Sequence, residues 1–239
     1  VFISFALLGF YDDIQKIFGW KKTGVWGMRL RHKLIVQCLL ALISALLLYF
    51  QMGLHSLWLP FFGEINLGFF YILFAALTIV ATANAFNITD GLDGLAGGLL
   101  VITLCSVWVI FAQTANGDSP LFIAVLVGSL LSFLYFNIYP ARLWMGDTGA
   151  MAFGAVLALL FLISDRIIVL PVLGGLFFIE AASSLLQWSS RRFRRKKIFI
   201  SAPFHHHLEA LGWEEPKIVM RFWVVGGFLA FTALFLAFL

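Results

Sequence analysis

The amino-acid sequence predicts an all-α polytopic membrane protein, a multi-helix transmembrane bundle. Three observations predict it. Hydrophobic residues make up 62% of the chain and charged residues 12%, whereas a soluble domain is roughly half apolar and about a quarter charged. The apolar residues gather into runs that approach the roughly 20 residues a membrane helix needs. No polar–apolar alternation lasts long enough to suggest a membrane barrel.

The runs follow in order. Residues 1–11 are apolar and begin without methionine, so they read as the second half of a membrane helix in a fragment lacking its N-terminal part. Further spans are predicted at 34–52, 69–87, 97–113, 121–138, 150–164, 167–190 and 218–238. That is seven full helices and part of an eighth. Within 167–190, Pro171 and the pair Gly174–Gly175 predict a bend. Glu180 in the same span would be costly against lipid, so it is expected to face the protein interior or a groove. Cys38 and Cys105 lie in apolar runs and read as small buried apolar side chains.

The cations set the orientation. Lys16, Lys21, Lys22, Arg29, Arg31 and Lys33 occupy or border the first loop. Arg142 lies in a loop of the same parity. Arg191, Arg192, Arg194, Arg195, Lys196, Lys197, Lys217 and Arg221 fall in or beside the last loop. These are 15 of the 16 Lys and Arg residues, and only Arg166 is on the other side. The positive-inside bias places these loops in the cytoplasm. The net charge of +4 is therefore a topology signal, and nucleic-acid binding is excluded. The run RRFRRKK anchors the membrane border and could also hold anionic headgroups. The opposite loops, around 53–68, 114–120 and 164–166, hold Glu64, Asp118 and Asp165 and little else that could do chemistry.

The acids and histidines follow the same sidedness. Asp12 and Asp13 open the first loop, and Lys16 lies one helical turn on, where it can offset their charge if the helix continues. In NITDGLDGLAGG, Asp90 and Asp93 share a face if helical, and the glycines around them permit close backbone approach. In WMGDTGA, Asp147 stands between two glycines before a new span; alone, the pattern equally suits a helix N-cap. Trp144 suits a membrane-interface aromatic or a stacking platform. In SAPFHHHLEALGWEEP, three consecutive histidines cannot all face one way on a helix, so no simple zinc set follows. Carboxylates with cationic donors suit a magnesium ion and a polyphosphate. The position at a membrane face adds a lipid substrate. The reaction class is transfer of a phosphoryl-linked group from a soluble donor to a lipid phosphate. An ion-coupled transporter is the rival from another class, and it predicts acids near the bilayer midplane and two related halves.

DDIQK, NAFNITDGLDGLAGG, MGDTGA and APFHHHLEALGWEEPKIVMRFW, in this order over nearly the whole chain, resemble the bacterial phospho-N-acetylmuramoyl-pentapeptide transferases. These belong to the polyprenyl-phosphate sugar-phosphate transferases, whose other members are the alternative reading. The resemblance implies one integral membrane transferase domain over 1–239, lacking N-terminal helices. It implies that UDP-N-acetylmuramoyl-pentapeptide and undecaprenyl phosphate form lipid I and UMP in peptidoglycan synthesis. It places the site on the cytoplasmic side of a bacterial inner membrane, with Mg2+ as cofactor. Members of that family often dimerise, though no pattern in this sequence bears on it.

Residue by residue, the resemblance implies that Asp12 and Asp13 activate the lipid phosphate with Lys16 nearby. Asp147 is its magnesium aspartate, next to Gly146. Asn87, Asp90 and Asp93 match the acidic nucleotide-side motif, with Asn87 and Asp93 as further metal candidates. His205, His206 and His207 lie near the diphosphate, with His205 counted as catalytic. Asn137 and Trp144 line the uridine pocket, Trp144 standing where the family usually has phenylalanine. Ala150 replaces a common serine.

Overall fold

A computed structural model of the chain describes residues 1–18, 28–59, 62–114, 119–164 and 166–239. The expected loop cations Lys21 and Lys22 and the expected outer-loop acids Asp118 and Asp165 lie outside the described residues. The elements in order are α1 (Phe2–Phe18), α2 (Leu30–Met52), β1 (Ser56–Leu59), β2 (Gly63–Asn66), α3 (Phe70–Thr89), α4 (Leu95–Thr114) and α5 (Ser119–Asn137). There follow α6 (Gly146–Ile163), a 3₁₀ turn (Ile167–Val169), α7 (Leu170–Leu173), α8 (Gly175–Phe193), α9 (Phe204–Ala210) and α10 (Glu215–Ala237). Among the described residues six helices are long and apolar enough to cross a membrane, or seven if the bent pair α7–α8 counts as one span. The all-α membrane architecture is thus present, span by span.

One expected feature is present in full, and two differences from expectation have physical causes. The 167–190 span is broken: α7 and α8 meet at 74°, across the glycine pair that predicts a bend. Residues 56–59 and 63–66 form an antiparallel hairpin with Leu57 opposite Ile65, too short to leave a periodic signal in sequence. Cys38 and Cys105 are exposed on their helices, not buried. Hydropathy cannot separate a lipid face from a protein face, because both are apolar.

The chain divides into two compact units. Unit 1 contains residues 1–87 and 145–167. Its centre is α6, most of whose side chains are buried. Helix α1 lies against it so closely that a Cβ on Gly9 would collide with the Asp147 carbonyl. Phe5 is fully buried on α1, and Phe2 meets Phe153 edge-on at 5.5 Å. On another side a Cβ on Gly154 would lie 2.7 Å from Ala83 Cα of α3. Small residues at both contacts let backbones approach, which is how membrane helices gain packing energy without a hydrophobic drive between them. The hairpin is tied down where the Arg166 guanidinium lies 3.6 Å over the Trp58 ring.

Unit 2 contains residues 88–144 and 168–239. Helix α4 packs on α5 and α10. A side chain on Gly98 would overlap the Trp223 indole, and one on Gly226 would press on Leu99. Helix α8 carries Glu180, Ser183, Gln187 and Ser190 on its buried side. These polar groups have work there. Gln187 accepts from the Ile198 and Phe199 amides at 2.9 and 3.1 Å and donates to the Phe199 carbonyl at 2.9 Å. Ser190 donates to the Lys196 carbonyl at 2.9 Å. The helix itself satisfies the backbone of the segment after it, as buried backbone groups require.

Candidate functional site

The acidic array in unit 1 is built on the ends of four helices, α1, α2, α3 and α6. Helix α6 begins at Gly146, whose φ of +62° suits glycine. The preceding residue, Met145, gives α6 no side-chain cap. Asp13 of α1 supplies one from a distance. Its Oδ2 accepts from the Thr148 amide at 2.9 Å and the Thr148 hydroxyl at 2.7 Å, and its Oδ1 accepts from the Asp147 amide at 3.3 Å. A carboxylate is favoured there because the first amides of a helix are unpaired and its dipole is positive at that end. Gly9, one turn before Asp13, is what lets α1 come near enough.

Asp147 then projects from the first turn of α6. Its Oδ1 accepts from Asn87 Nδ2 of α3 at 2.8 Å. Its Oδ2 accepts from Lys16 Nζ and Lys33 Nζ, both at 2.6 Å. Asp12 Oδ2 lies 3.1 Å from Lys33 Nζ and 3.3 Å from Lys16 Nζ, and Asp12 Oδ1 accepts from the Met28 amide. Helix α1 does continue through DDIQK, so Asp12, Asp13 and Lys16 share one side of it. Burial works to lower the Lys16 pKa, but bonds and attraction to Asp147 and Asp12 outweigh it and raise that ammonium above its usual value. Three carboxylates and two ammoniums leave the array with a net charge of −1 (−3 + 2). It can therefore take one further cation and hold anionic oxygens on its lysines.

Lys33 and Thr148 were not singled out in sequence for this array. Lys33 stands outside the quoted motifs and Thr148 lies inside MGDTGA beside the more conspicuous Asp147; only the tertiary fold brings Lys33 to Asp147 and Thr148 to Asp13. Behind them a second missed pair ties α2 to α3. Asn84 Nδ2 donates to Gln37 Oε1 at 2.8 Å. Gln37 is fully buried, one turn beyond Lys33, and Asn84 is three residues before Asn87.

The Asp90–Asp93 segment of unit 2 is a turn between α3 and α4, not the helix that would put both acids on one face. Gly94, with φ of +79°, closes it. Asp93 Oδ2 accepts from the Ala141 amide at 2.8 Å, and Oδ1 accepts from Trp144 Nε1 at 3.2 Å. The Asp93 amide donates to Glu215 Oε1 at 2.6 Å, a partner that no sequence motif marks. Asn137 is buried and bonded through both its oxygen and its nitrogen. Its Oδ1 accepts from the Gly94 amide at 3.1 Å and its Nδ2 donates to the Leu143 carbonyl at 2.9 Å. It braces the turn. The Trp144 ring is 68% exposed, so an indole face beside Asp93 is open to a planar ligand. An apolar cavity of about 270 Å³ also adjoins Asp93, lined by Ile138, Tyr139, Val219, Met220 and Trp223.

The three histidines lie in the first turn of α9 and take different partners, although the rings of His205 and His206 lie 4.3 Å apart. His205 is fully buried, and its Nδ1 lies 3.0 Å from Glu180 Oε2. His206 pairs with Glu209. His207 Nδ1 accepts from the Ile200 amide at 3.3 Å, and its ring lies 5.5 Å from that of Phe199. His206 and His207 remain partly open. Arg191, Arg192, Arg194, Arg195, Lys196 and Lys197 are all exposed.

Among the described residues no group of three or more His, Cys, Asp or Glu is spaced to hold a metal ion. Asp147, Asn87 and Asp12 nonetheless offer hard oxygen donors within one array. Magnesium commonly uses one or two carboxylates and completes its shell with water and substrate phosphates.

Comparison with known proteins converges with this geometry. Residues 1–165 match the family model described as glycosyl transferase family 4. The phospho-N-acetylmuramoyl-pentapeptide-transferase of Rickettsia akari (strain Hartford) is 41% identical, with 98% of this chain aligned to 69% of that protein. The protein of the same name from Desulfotalea psychrophila is 39% identical over 98% of this chain and 70% of its own length. The one from Borrelia hermsii is 38% identical over 98% and 71%. With the acidic array, the three-histidine helix and this likeness along nearly its full length, the chain belongs to the phospho-N-acetylmuramoyl-pentapeptide-transferase family.

Proposed function

We propose that the protein transfers phospho-N-acetylmuramoyl-pentapeptide from its UDP derivative to undecaprenyl phosphate, forming lipid I and UMP. The observation that carries this reading is the Asp147 array, in a chain about 40% identical to transferases of that name. The whole chain is read as one transferase domain working at the cytoplasmic face of a bacterial inner membrane. The bias of 15 among 16 cations supports that face.

In this mechanism a lipid phosphate oxygen attacks the β-phosphorus of the UDP-sugar, and the bond from that phosphorus to the bridging oxygen of UMP breaks. Asp13 orients the attacking phosphate and takes its proton. It is the more exposed acid of the pair, and its Oδ1 has only weak partners, at 3.3 and 3.4 Å. Asp12 holds Lys16 and Lys33 in place, and the two ammoniums receive charge that builds on phosphate oxygens. Mg2+, held by Asp147 with Asn87 and Asp12, would supply a Lewis acid for that charge. Asp93 is a further ligand candidate, and Asp90 and Asp93 serve the nucleotide side. Trp144 stacks on uracil, and Asn137 braces the turn under it. His206 and His207 donate to the diphosphate.

The test is UMP release by the purified protein in bilayers, with and without Mg2+, from UDP-N-acetylmuramoyl-pentapeptide and undecaprenyl phosphate. Release that needs Mg2+ and vanishes in Asp147→Ala is expected. Release only from another UDP-N-acetylhexosamine would replace this reading with that of a sister transferase. No release from either donor would remove the transferase reading. Mass photometry of the same sample tests for the homodimer that the family resemblance suggests.

A further inference from the structure

Glu180 is a carboxylate inside a membrane helix pair, fully buried. Such a group persists only with partners. Both of its oxygens face the His205 backbone amide, at 3.1 and 3.3 Å, and Oε2 also faces the His205 ring Nδ1 at 3.0 Å. The far nitrogen, Nε2, is buried and has no hydrogen-bond partner. It is aimed at Gly91, where an added Cβ would lie 2.5 Å from it. Gly91 sits in the turn that carries Asp90 and Asp93.

An ionised carboxylate only accepts hydrogen bonds. Its contact with Nδ1 therefore requires a proton on Nδ1. In the neutral ring that leaves a bare lone pair on Nε2, facing a backbone that only glycine brings so near. The partner of one ring nitrogen thus sets the state of the other.

We propose that Glu180 is a positioning residue. It fixes His205 as the Nδ1–H tautomer and clamps the ring against Gly91, so that the Asp90–Asp93 turn is registered on the corner between α8 and α9. In this role His205 acts through the turn and does not itself touch substrate. The kinetic arm of the test rests on the transferase reading; the structural arm does not.

Glu180→Gln separates these elements without changing the shape. The amide has one acceptor, and the His205 backbone amide claims it. The amide NH2 then donates to Nδ1 and moves the ring proton to Nε2. Nitrogen NMR of protein labelled with 15N-histidine, in bilayers, reads this directly, with His205→Asn to assign the signal. The expected result is Nδ1–H in the native protein and Nε2–H in Glu180→Gln. A native spectrum with Nε2–H, or no change in the variant, overturns the proposal; the native spectrum alone decides if the variant does not fold.

In steady-state assays, Glu180→Gln and Gly91→Ala should each raise KM for the nucleotide sugar about tenfold, the low end of what removing a histidine's orienting carboxylate does at metal sites. KM for the lipid phosphate should stay unchanged. A general structural defect would shift both together, and that result also overturns the proposal. A native protein with no turnover would defeat the transferase reading and leave the NMR result to decide the clamp.

Discussion

The Thr148 hydroxyl donates to Asp13 Oδ2 at 2.7 Å, and the Thr148 amide donates to the same oxygen at 2.9 Å. One carboxylate on α1 therefore caps the helix that begins with Asp147. Thr148→Val keeps the shape and deletes only the hydroxyl bond. It should cost about 1 kcal/mol of stability and leave turnover within severalfold of native. Asp13→Asn should cut kcat by about 10²-fold or more with little change in KM. Full activity in that variant would show that Asp13 is a cap and not the base.

Lys33 and Lys16 both hold Asp147 Oδ2, but they differ in exposure, at 13% and 37% of the side chain. Removing a partner from a buried pair costs about 3 kcal/mol or more, and solvent screening lessens that at open positions. Lys33→Met should therefore lower the thermal midpoint more than Lys16→Met. The reverse ranking in the same membrane mimetic would mean that Lys16 is the principal counter-ion.

Gln37 and Asn84 form an amide pair between two apolar helices. Polar pairs between membrane helices contribute about 0.6 kcal/mol on average, because the separated helices find other partners. A double-mutant cycle with Gln37→Leu and Asn84→Leu should give a coupling of about that size. The single variants should also reduce turnover, since Lys33 and Asn87 lie on the same helices one turn away. Strictly additive stability changes would show that the pair holds nothing together.

Two glycines make a matched test of packing. An added methyl at Gly98 meets the Trp223 indole, whereas at Gly128 nothing lies within 4 Å. Gly98→Ala should destabilise by about 1–3 kcal/mol as an overpacked contact. Gly128→Ala should be neutral or slightly stabilising, because alanine suits a helix better by about 1 kcal/mol. Unfolding in denaturant separates the two, and equal effects would refute the α4–α10 contact.

Most of the fold was legible because a bilayer imposes long apolar runs, and each run became a helix except 167–190, which is broken at its glycine pair. The ends were less so. Residues 146–149 are already helical, yet they read as loop because they are small and polar; the cap that lets α6 start there sits on α1, more than a hundred residues away. Asp12, Asp13, Lys16, Asn87 and Asp147 stood out as dense polar groups in a greasy chain, and they do form one array. Lys33 looked like one more loop cation. Glu215 was hidden in an ordinary acidic helix start. Asp90 and Asp93 would share a face only if their segment were helical, and the glycines that mark it instead hold it as a turn. That the three histidines take separate partners and form no single ligand set followed from helical spacing alone.

The break at Gly174 and the polar side of α8 bear on how the protein is made. Helix α8 passes as a span only together with the one-turn α7, and it brings a carboxylate and an amide with it. It leaves the ribosome before α10, the helix that packs against α7, α8 and α9. A translocon offered α8 by itself meets a poor candidate for lipid. Its stable entry is therefore coupled to the arrival of residues 215–237, and a nascent chain stopped short of them would hold this segment at the membrane surface.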